Sequence, residues 1–403
     1  MKFSRRILEI EPSPTLSITA LANTMRVQGI DVLDFSSGEP DFDTPQHIKD
    51  AAINAMNIGK TKYTASGGIP QLKKAIISKF KRDNNLDYGT DEVTVNCGGK
   101  HSLYNLMQVL FDKGDEVILP APYWVSYTSM LSLAGASPVI IPTTESTGFK
   151  FTPEMLANAI NSKTRAIIIN SPSNPTGATY TEKELIGLAE VLKKHDILIL
   201  SDDIYEKILY DNLEYRNIAE LVPELKSRTI IINGVSKTYA MTGWRIGYIA
   251  ADKKIIKHVE TLQSQSTSNP TSISQYAAVA ALSGDQAVLD PMISAFTERR
   301  ELIVTGLNDV LGFSCQKPNG AFYAFPGIKG VYSLPGWKNI EREFDNEDNS
   351  SKLCSYLLKE AKVALVPGIA FGIEDYIRLS FATSNENITE GIKRIKCAID
   401  ALQ

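Results

Sequence analysis

A chain of 403 residues with 43% hydrophobic and 22% charged residues has the composition of an ordinary globular protein, long enough for a large α/β domain with a smaller one beside it. Its net charge of −4 speaks against nucleic acid or an anionic membrane as the main partner. The four cysteines, Cys97, Cys315, Cys354 and Cys397, are too scattered for a zinc site or a disulfide framework, so no metal is expected. Near the N-terminus Arg5 and Arg6 are followed by Glu9 and Glu11, with no apolar stretch that could act as a signal peptide or membrane span, and the expected location is the cytoplasm.

Along the chain, short β-branched runs alternate with helical patterns, which predicts an α/β protein with a parallel sheet covered on both faces. Strands are expected at Val93–Asn96, Glu116–Leu119, Pro138–Ile141, Arg165–Ile169, Ile197–Ser201, Thr229–Ile232 and Ile246–Ala250. Directly after Gly98-Gly99, the apolar stripe Leu103, Leu106, Met107 and Leu110 has helical spacing. Thr181 and Glu184 form a capping-box pattern ahead of Leu185, Leu188, Ala189 and Leu192, so a second helix starts there. The polar segment from Lys329 to Lys352 reads as a surface excursion. No repeat of solenoid period is present. No Gly-x-Gly-x-x-Gly turn follows the first strand either, which argues against a nicotinamide-dependent dehydrogenase.

Five blocks carry candidate chemistry. Gly98-Gly99-Lys100 leads from a strand into a helix, where free N–H groups and the positive end of the helix dipole face an anion. A cation at that end is unfavourable unless an anion accounts for it, so Lys100 is either a surface lysine or a ligand for a negative group. Asn170-Ser171-Pro172-Ser173-Asn174-Pro175-Thr176-Gly177 follows a strand, at the edge where open α/β sheets present ligand-facing loops, although the same residues also suit a plain turn. In Ser201-Asp202-Asp203-Ile204-Tyr205-Glu206, Asp202 could keep a pyridine nitrogen protonated and Tyr205 could donate to a phenolate. A helix N-cap and a core aromatic with a wet tip are the plainer readings. The fourth block runs from Asn233 to Gly247, with Ser236 before Lys237 and Arg245 eight residues after it: an amine for a Schiff base beside a hydroxyl and a fixed charge for a phosphate. Finally, Tyr376-Ile377-Arg378-Leu379-Ser380 places an arginine in an apolar run, where it needs an anion, either a substrate carboxylate held bidentately or an internal salt bridge.

In order and spacing these blocks, together with Gly38-Glu39-Pro40-Asp41, Lys62-Tyr63 and Pro122-Tyr123-Trp124, resemble the class I/II aminotransferases from end to end. Within that family the chain is similar to the bacterial aspartate aminotransferase branch, through its GEPDFDTP, PYWVSY, NSPSNPTG and MTGWRIGY segments. The resemblance implies a fold-type I transferase dependent on pyridoxal 5′-phosphate, with a large cofactor-binding domain at 37–285. Residues 1–36 would join 286–403 as a smaller α/β domain. It implies that Lys237 forms the Schiff base, that Asp202 pairs with the pyridine nitrogen, that Tyr205 and Asn174 bond the phenolate oxygen, and that Trp124 stacks on the ring. Ser236, Arg245, Gly99 and Lys100 would lie at the phosphate, joined by Tyr63 from a neighbouring subunit of a homodimer. Arg378, Asn174 and the backbone of Gly38 would take the substrate α-carboxylate.

The implied reaction is ping-pong transfer of an amino group from L-aspartate to 2-oxoglutarate, with small amino and keto acids as the only partners besides a second copy. A dicarboxylate requires a second cation, for which Lys100 is the candidate, with Thr15 lining the same pocket. Aromatic, prephenate or other aminotransferases and a lyase of the same fold remain alternatives, since fold does not name the substrate. Relatives of this branch that use prephenate tend to carry a basic residue before the first proline of the Pro12-Ser13-Pro14 segment. This chain has Glu11 there. A regulator built on the same domain would need an additional DNA-binding helical module, and the aminotransferase-like segment begins almost at the first residue of the sequence.

Overall fold

All seven expected strands join one sheet in the computed structural model, which describes Met1–Gln403. Numbered along the chain, the strands are β1 (Leu33–Asp34), β2 (Val93–Asn96), β3 (Glu116–Ala121), β4 (Ser137–Pro142), β5 (Thr164–Asn170), β6 (Leu198–Asp202), β7 (Thr229–Gly234), β8 (Gly247–Ala250), β9 (Tyr323–Ala324), β10 (Val363–Ala364), β11 (Val366–Pro367) and β12 (Ile377–Ser380). The large sheet has the order β2-β8-β7-β6-β5-β3-β4. The ladders from β4 through β3, β5 and β6 to β7 are parallel; apart from the edge strand β4, their strands are largely runs of buried aliphatic residues because helices cover both faces.

One strand departs from the parallel expectation. β8 runs antiparallel to both β7 and β2. The connection from β7 contains only a 3-10 turn, Thr242–Trp244, and no crossover helix that could carry the chain back to start a parallel strand. As a result β8 begins at the same edge where β5, β6 and β7 end. Residues just before it, Arg245 included, therefore arrive beside the loops that follow those strands.

The helix after β2 spans Gly99–Leu110 and buries Leu103, Leu106 and Met107, as its stripe predicts. The helix Glu182–Leu192 opens with the expected capping box between Thr181 and Glu184. A second core gathers Phe35 with residues from Met292 to Leu402, around the antiparallel strands β11, β12 and β9. The N-terminal segment enters this lobe directly, because β1 pairs in parallel with β10 and Ala22 and Val32 pack against Ala364. The polar stretch from Lys329 to Lys352 is more structured than its composition suggests. It contains the helix Trp337–Glu343, whose Trp337 and Ile340, one turn apart, are buried. No helix is long and apolar enough to cross a membrane.

Candidate active site

Register places the ends of the central strands side by side: Asn170 of β5 lies opposite Asp202 of β6, and Asp202 opposite Ile232 of β7, just ahead of Ser236 and Lys237. A cavity of about 440 Å³ opens at this edge, between the sheet and the C-terminal lobe. Thr15, Gly38, Gly99, Lys100, Trp124, Asn174, Asp202, Tyr205, Ser236, Lys237, Arg245 and Arg378 all line it. Tyr63 is the exception: it lies outside the cavity of its own chain, 92% exposed.

The floor is buried and internally paired. Asp202 is buried and accepts a hydrogen bond from the Tyr127 hydroxyl at 2.6 Å. Burial pushes its carboxyl up to about 6, against the pull of the Tyr127 hydrogen bond, the Ile204 N–H and the Lys237 charge. A buried acid in this state is suited to a cationic N–H partner, which would return it to the ionised form. Tyr205 is buried with its hydroxyl 2.7 Å from that of Tyr323. Asn170 donates to the Asp202 carbonyl at 2.9 Å and accepts from the Asn174 N–H at 2.9 Å. That turn aims the Asn174 side chain at Arg378, whose guanidinium donates to Asn174 Oδ1 at 3.0 Å.

Two cations meet over this floor. Arg378, on β12, is 2% exposed and also donates to the Ser36 carbonyl at 2.6 Å, yet its Nε has no partner and no carboxylate pairs with it. The alternative of an internal salt bridge is thereby removed. A buried guanidinium without an anion is costly unless a ligand provides one. Lys237 is partly buried and donates to the Gly38 carbonyl. Burial lowers its ammonium to about 8; Glu39 opposes that shift, whereas Arg378, Arg245 and Lys100 add to it. A lysine in this state supplies a substantial neutral fraction near neutral pH.

The third wall is built for an anion. Gly98 precedes the helix Gly99–Leu110 with φ of 96°, and a Cβ there would lie 2.5 Å from Arg245 Nη2. Gly247 at the start of β8 runs equally close, since its Cβ would lie 2.4 Å from the Gly99 nitrogen. These glycines let the helix N-terminus, Ser236 and Arg245 converge on one corner of the cavity. Arg245 donates to the Thr242 carbonyl at 2.9 Å and has no carboxylate partner. Lys100 lies exposed at the rim, its Nζ 5.0 Å from the centre of the Trp124 ring.

Several groups with evident roles in this geometry escape sequence reasoning. Tyr127 sits in the first turn of the helix Ser126–Ala134 just after Trp124, to whose carbonyl its N–H donates and whose ring its own meets edge-on at 5.3 Å; only its place in the PYWVSY segment was a signal for it. Tyr323 carried none, being part of a two-residue strand without periodicity. The Ser36 carbonyl is a backbone group and has no trace in side-chain patterns.

A family model for aminotransferase class I and II matches residues 30–395. The chain is 52% identical over 401 residues to the aspartate aminotransferase of Geobacillus stearothermophilus, with 100% of both chains covered. It is 50% identical over 398 residues to the aspartate/prephenate aminotransferase of Nitrosomonas europaea, covering 98% of this chain and 99% of that one. Among solved structures, it is similar to the aspartate aminotransferase from Rhizobium meliloti with a TM-score of 0.94, 45% identity and 99% of each chain covered.

Proposed function

Because the chain belongs to the class I and II aminotransferase family, we propose that it transfers the amino group of L-aspartate to 2-oxoglutarate, giving oxaloacetate and L-glutamate, with pyridoxal 5′-phosphate as its cofactor. The observation that carries this reading is the buried Arg378, without a carboxylate of its own, in one cavity with Lys237. Amino and keto acids share the α-carboxylate that such a guanidinium takes.

The residues present fit the cofactor. Arg245, Ser236 and the first N–H groups of the helix Gly99–Leu110 would hold its phosphate, Trp124 would cover the ring, and Tyr205 and Asn174 would bond its phenolate oxygen. Asp202 would keep the ring nitrogen protonated. When bound, the cofactor supplies an electron sink that makes the Cα–H of an attached amino acid acidic. Arg378 and Asn174 fix the α-carboxylate and so orient that C–H bond. Lys237, its pKa lowered by burial, takes the proton from Cα. Lys100 and Thr15, which line the same cavity, would meet the second carboxylate of a dicarboxylic acid. The first keto acid leaves before the second enters, so the kinetics are ping-pong.

We assign residues 37–285 to the cofactor-binding domain, and 1–36 together with 286–403 to the smaller one. The functional unit is a cytoplasmic homodimer in which the exposed Tyr63 serves the partner's phosphate corner. The test is an assay of aspartate with 2-oxoglutarate, run beside phenylalanine, alanine and prephenate and with the acceptor omitted. Keto acid formed only with acceptor supports transamination; ammonia or pyruvate without acceptor means a lyase. Purified protein should be yellow, and Lys237→Ala should lose both that absorbance band and turnover. An undiminished rate in Lys237→Ala overturns the assignment. The similarity to an aspartate/prephenate enzyme keeps prephenate as the second reading, which turnover of that substrate would establish.

A further inference from the structure

The turn that follows β6 has two faces. Asp202, Ile204 and Tyr205 line the cavity. Asp203 and Glu206 instead enter buried polar surroundings behind it, Asp203 against Ser201 and Asn217, and Glu206 against the helix Pro70–Asn84, with the charges of Glu206 and Lys79 felt at Asp203. Asp203 accepts from Ser201 Oγ at 2.7 Å and from Asn217 Nδ2 at 2.7 Å. Glu206 forms an ion pair with Lys79, both side chains being 3% exposed, and accepts from Asn84 Nδ2 at 3.0 Å. Lys79 closes the ring by donating to Asn84 Oδ1 at 2.7 Å.

A buried lysine–glutamate pair contributes little net stability compared with an apolar pair of the same volume, because desolvation offsets the attraction. What such a pair does supply is geometry. Geometry is needed here, since Asp202 and Asp203 are adjacent aspartates at a strand end, where successive side chains point to opposite faces. A slip of one residue would exchange the carboxylate in the cavity for the one behind it. Backbone register with β5 and β7 holds the strand as far as Asp202, the Asp203 N–H still donates to the Ile232 carbonyl at 2.9 Å, and the Glu206 N–H donates to the Asp203 carbonyl at 3.0 Å; past that last strand contact the turn is held by its own local bonds and by what its buried side chains meet.

We propose that Asp203, Glu206 and Lys79 are positioning residues: their buried cluster anchors the back of the turn so that Asp202 and Tyr205 are presented to the cavity in a fixed register. The proposal rests on the reading of Asp202 and Tyr205 as groups that face the cofactor. None of the three residues lines the cavity, so their effect passes through the turn. A displacement of about 1 Å at a reacting group costs on the order of 100-fold, so the effect is measurable.

Two variants test this. The double variant Lys79→Met/Glu206→Leu, made in an Asn84→Leu background so that no buried amide loses its partners, replaces the ion pair by apolar side chains of similar volume, a change buried pairs tolerate. Asp203→Asn keeps size while replacing an acceptor oxygen by a donor. In each, the cofactor-free protein should unfold cooperatively as the wild type does but bind pyridoxal 5′-phosphate at least about tenfold more weakly. The circular dichroism of the bound cofactor should fall, and kcat should drop while KM for aspartate stays near its wild-type value, because Arg378 lies outside the cluster. A purely structural cluster would shift the unfolding midpoint and leave affinity, circular dichroism and kcat of the folded protein unchanged, which overturns the proposal. Should the double variant fail to fold, Asp203→Asn decides alone. Asp202→Asn is the control: unchanged affinity in that variant overturns the reading of the cavity and the positioning proposal with it. Weakened affinity there, with wild-type affinity in the cluster variants, overturns the proposal only.

Discussion

Arg300 and Arg378 belong to the same C-terminal lobe, are 0% and 2% exposed, and face a tyrosine ring at nearly equal distances, Arg300 over Tyr210 at 4.4 Å and Arg378 over Tyr323 at 4.5 Å. In both, Nε lacks a partner. They differ in what their terminal nitrogens meet. Arg300 binds both oxygens of Asp211, at 2.7 and 3.0 Å, and Glu301 at 2.9 Å, whereas Arg378 finds only an amide oxygen and a backbone carbonyl. Burial alone therefore does not mark a binding arginine. What sets Arg378 apart is the missing anion, and the proposed function rests on it, because a desolvated guanidinium without a carboxylate gains most from a ligand that brings one.

The largest effect that bears on this contrast is expected for Arg378→Met. Losing one side of a desolvated charge pair costs on the order of 2 to 5 kcal/mol, so kcat/KM should fall roughly thirtyfold or more for every amino acid tested. Stability of the cofactor-free protein, measured by chemical denaturation, should hold or rise, since an unpaired buried charge has been removed. A loss confined to one substrate, or a large drop in stability, would place Arg378 with Arg300. Lys100→Ser sharpens the contrast at the exposed rim: aspartate and 2-oxoglutarate turnover should fall by up to about fivefold, with phenylalanine and alanine nearly unchanged. Equal losses on all substrates would assign Lys100 to the cofactor phosphate instead.

Arg300→Met should do the reverse of Arg378→Met. It removes hydrogen bonds to two carboxylates that are about half exposed, so unfolding should become easier by about 1 to 3 kcal/mol while the kinetics of the folded protein change little. The smallest effect is a pH slope. Burial lowers Lys237 to about 8 from 10.5, so between those values the unfolded chain binds more protons than the folded one, and cofactor-free protein should gain stability as pH rises through that window. Below it the penalty is present in full. Denaturation at pH 8 and pH 10 should show this gain in the wild type relative to Lys237→Met, and parallel curves for the two would remove Lys237 from the set of uncompensated cations.

Sequence patterns reveal the large sheet well because its central strands β3, β5, β6 and β7 run five to seven residues, are largely buried and are rich in aliphatic residues, as in Ala166–Ile169. The reversal of β8 is not legible in the same way, since direction depends on what the connection can span and not on the strand's own residues. The second lobe is built on strands of two to four residues, β9 to β12, too short to show a period. At the cavity, side chains with distinctive chemistry in or beside the strands, such as Lys237, Asp202 and Arg378, could be singled out. Their supports could not: Tyr323, the Ser36 carbonyl and the cluster of Lys79 with Glu206 gain meaning only from proximity in space.

The hydrogen bond from Arg378 to the Ser36 carbonyl joins residues 342 positions apart. Closing so long a loop is slow relative to forming local contacts, although its entropic cost grows only logarithmically with length. During synthesis, the strands from β2 to β8 can leave the ribosome and pair while β12 is still unmade. The pocket around Arg378 is therefore completed late in biogenesis; under the proposed function, nascent chains that already hold a folded sheet would lack a carboxylate site until Arg378 emerges and meets the first segment of the chain.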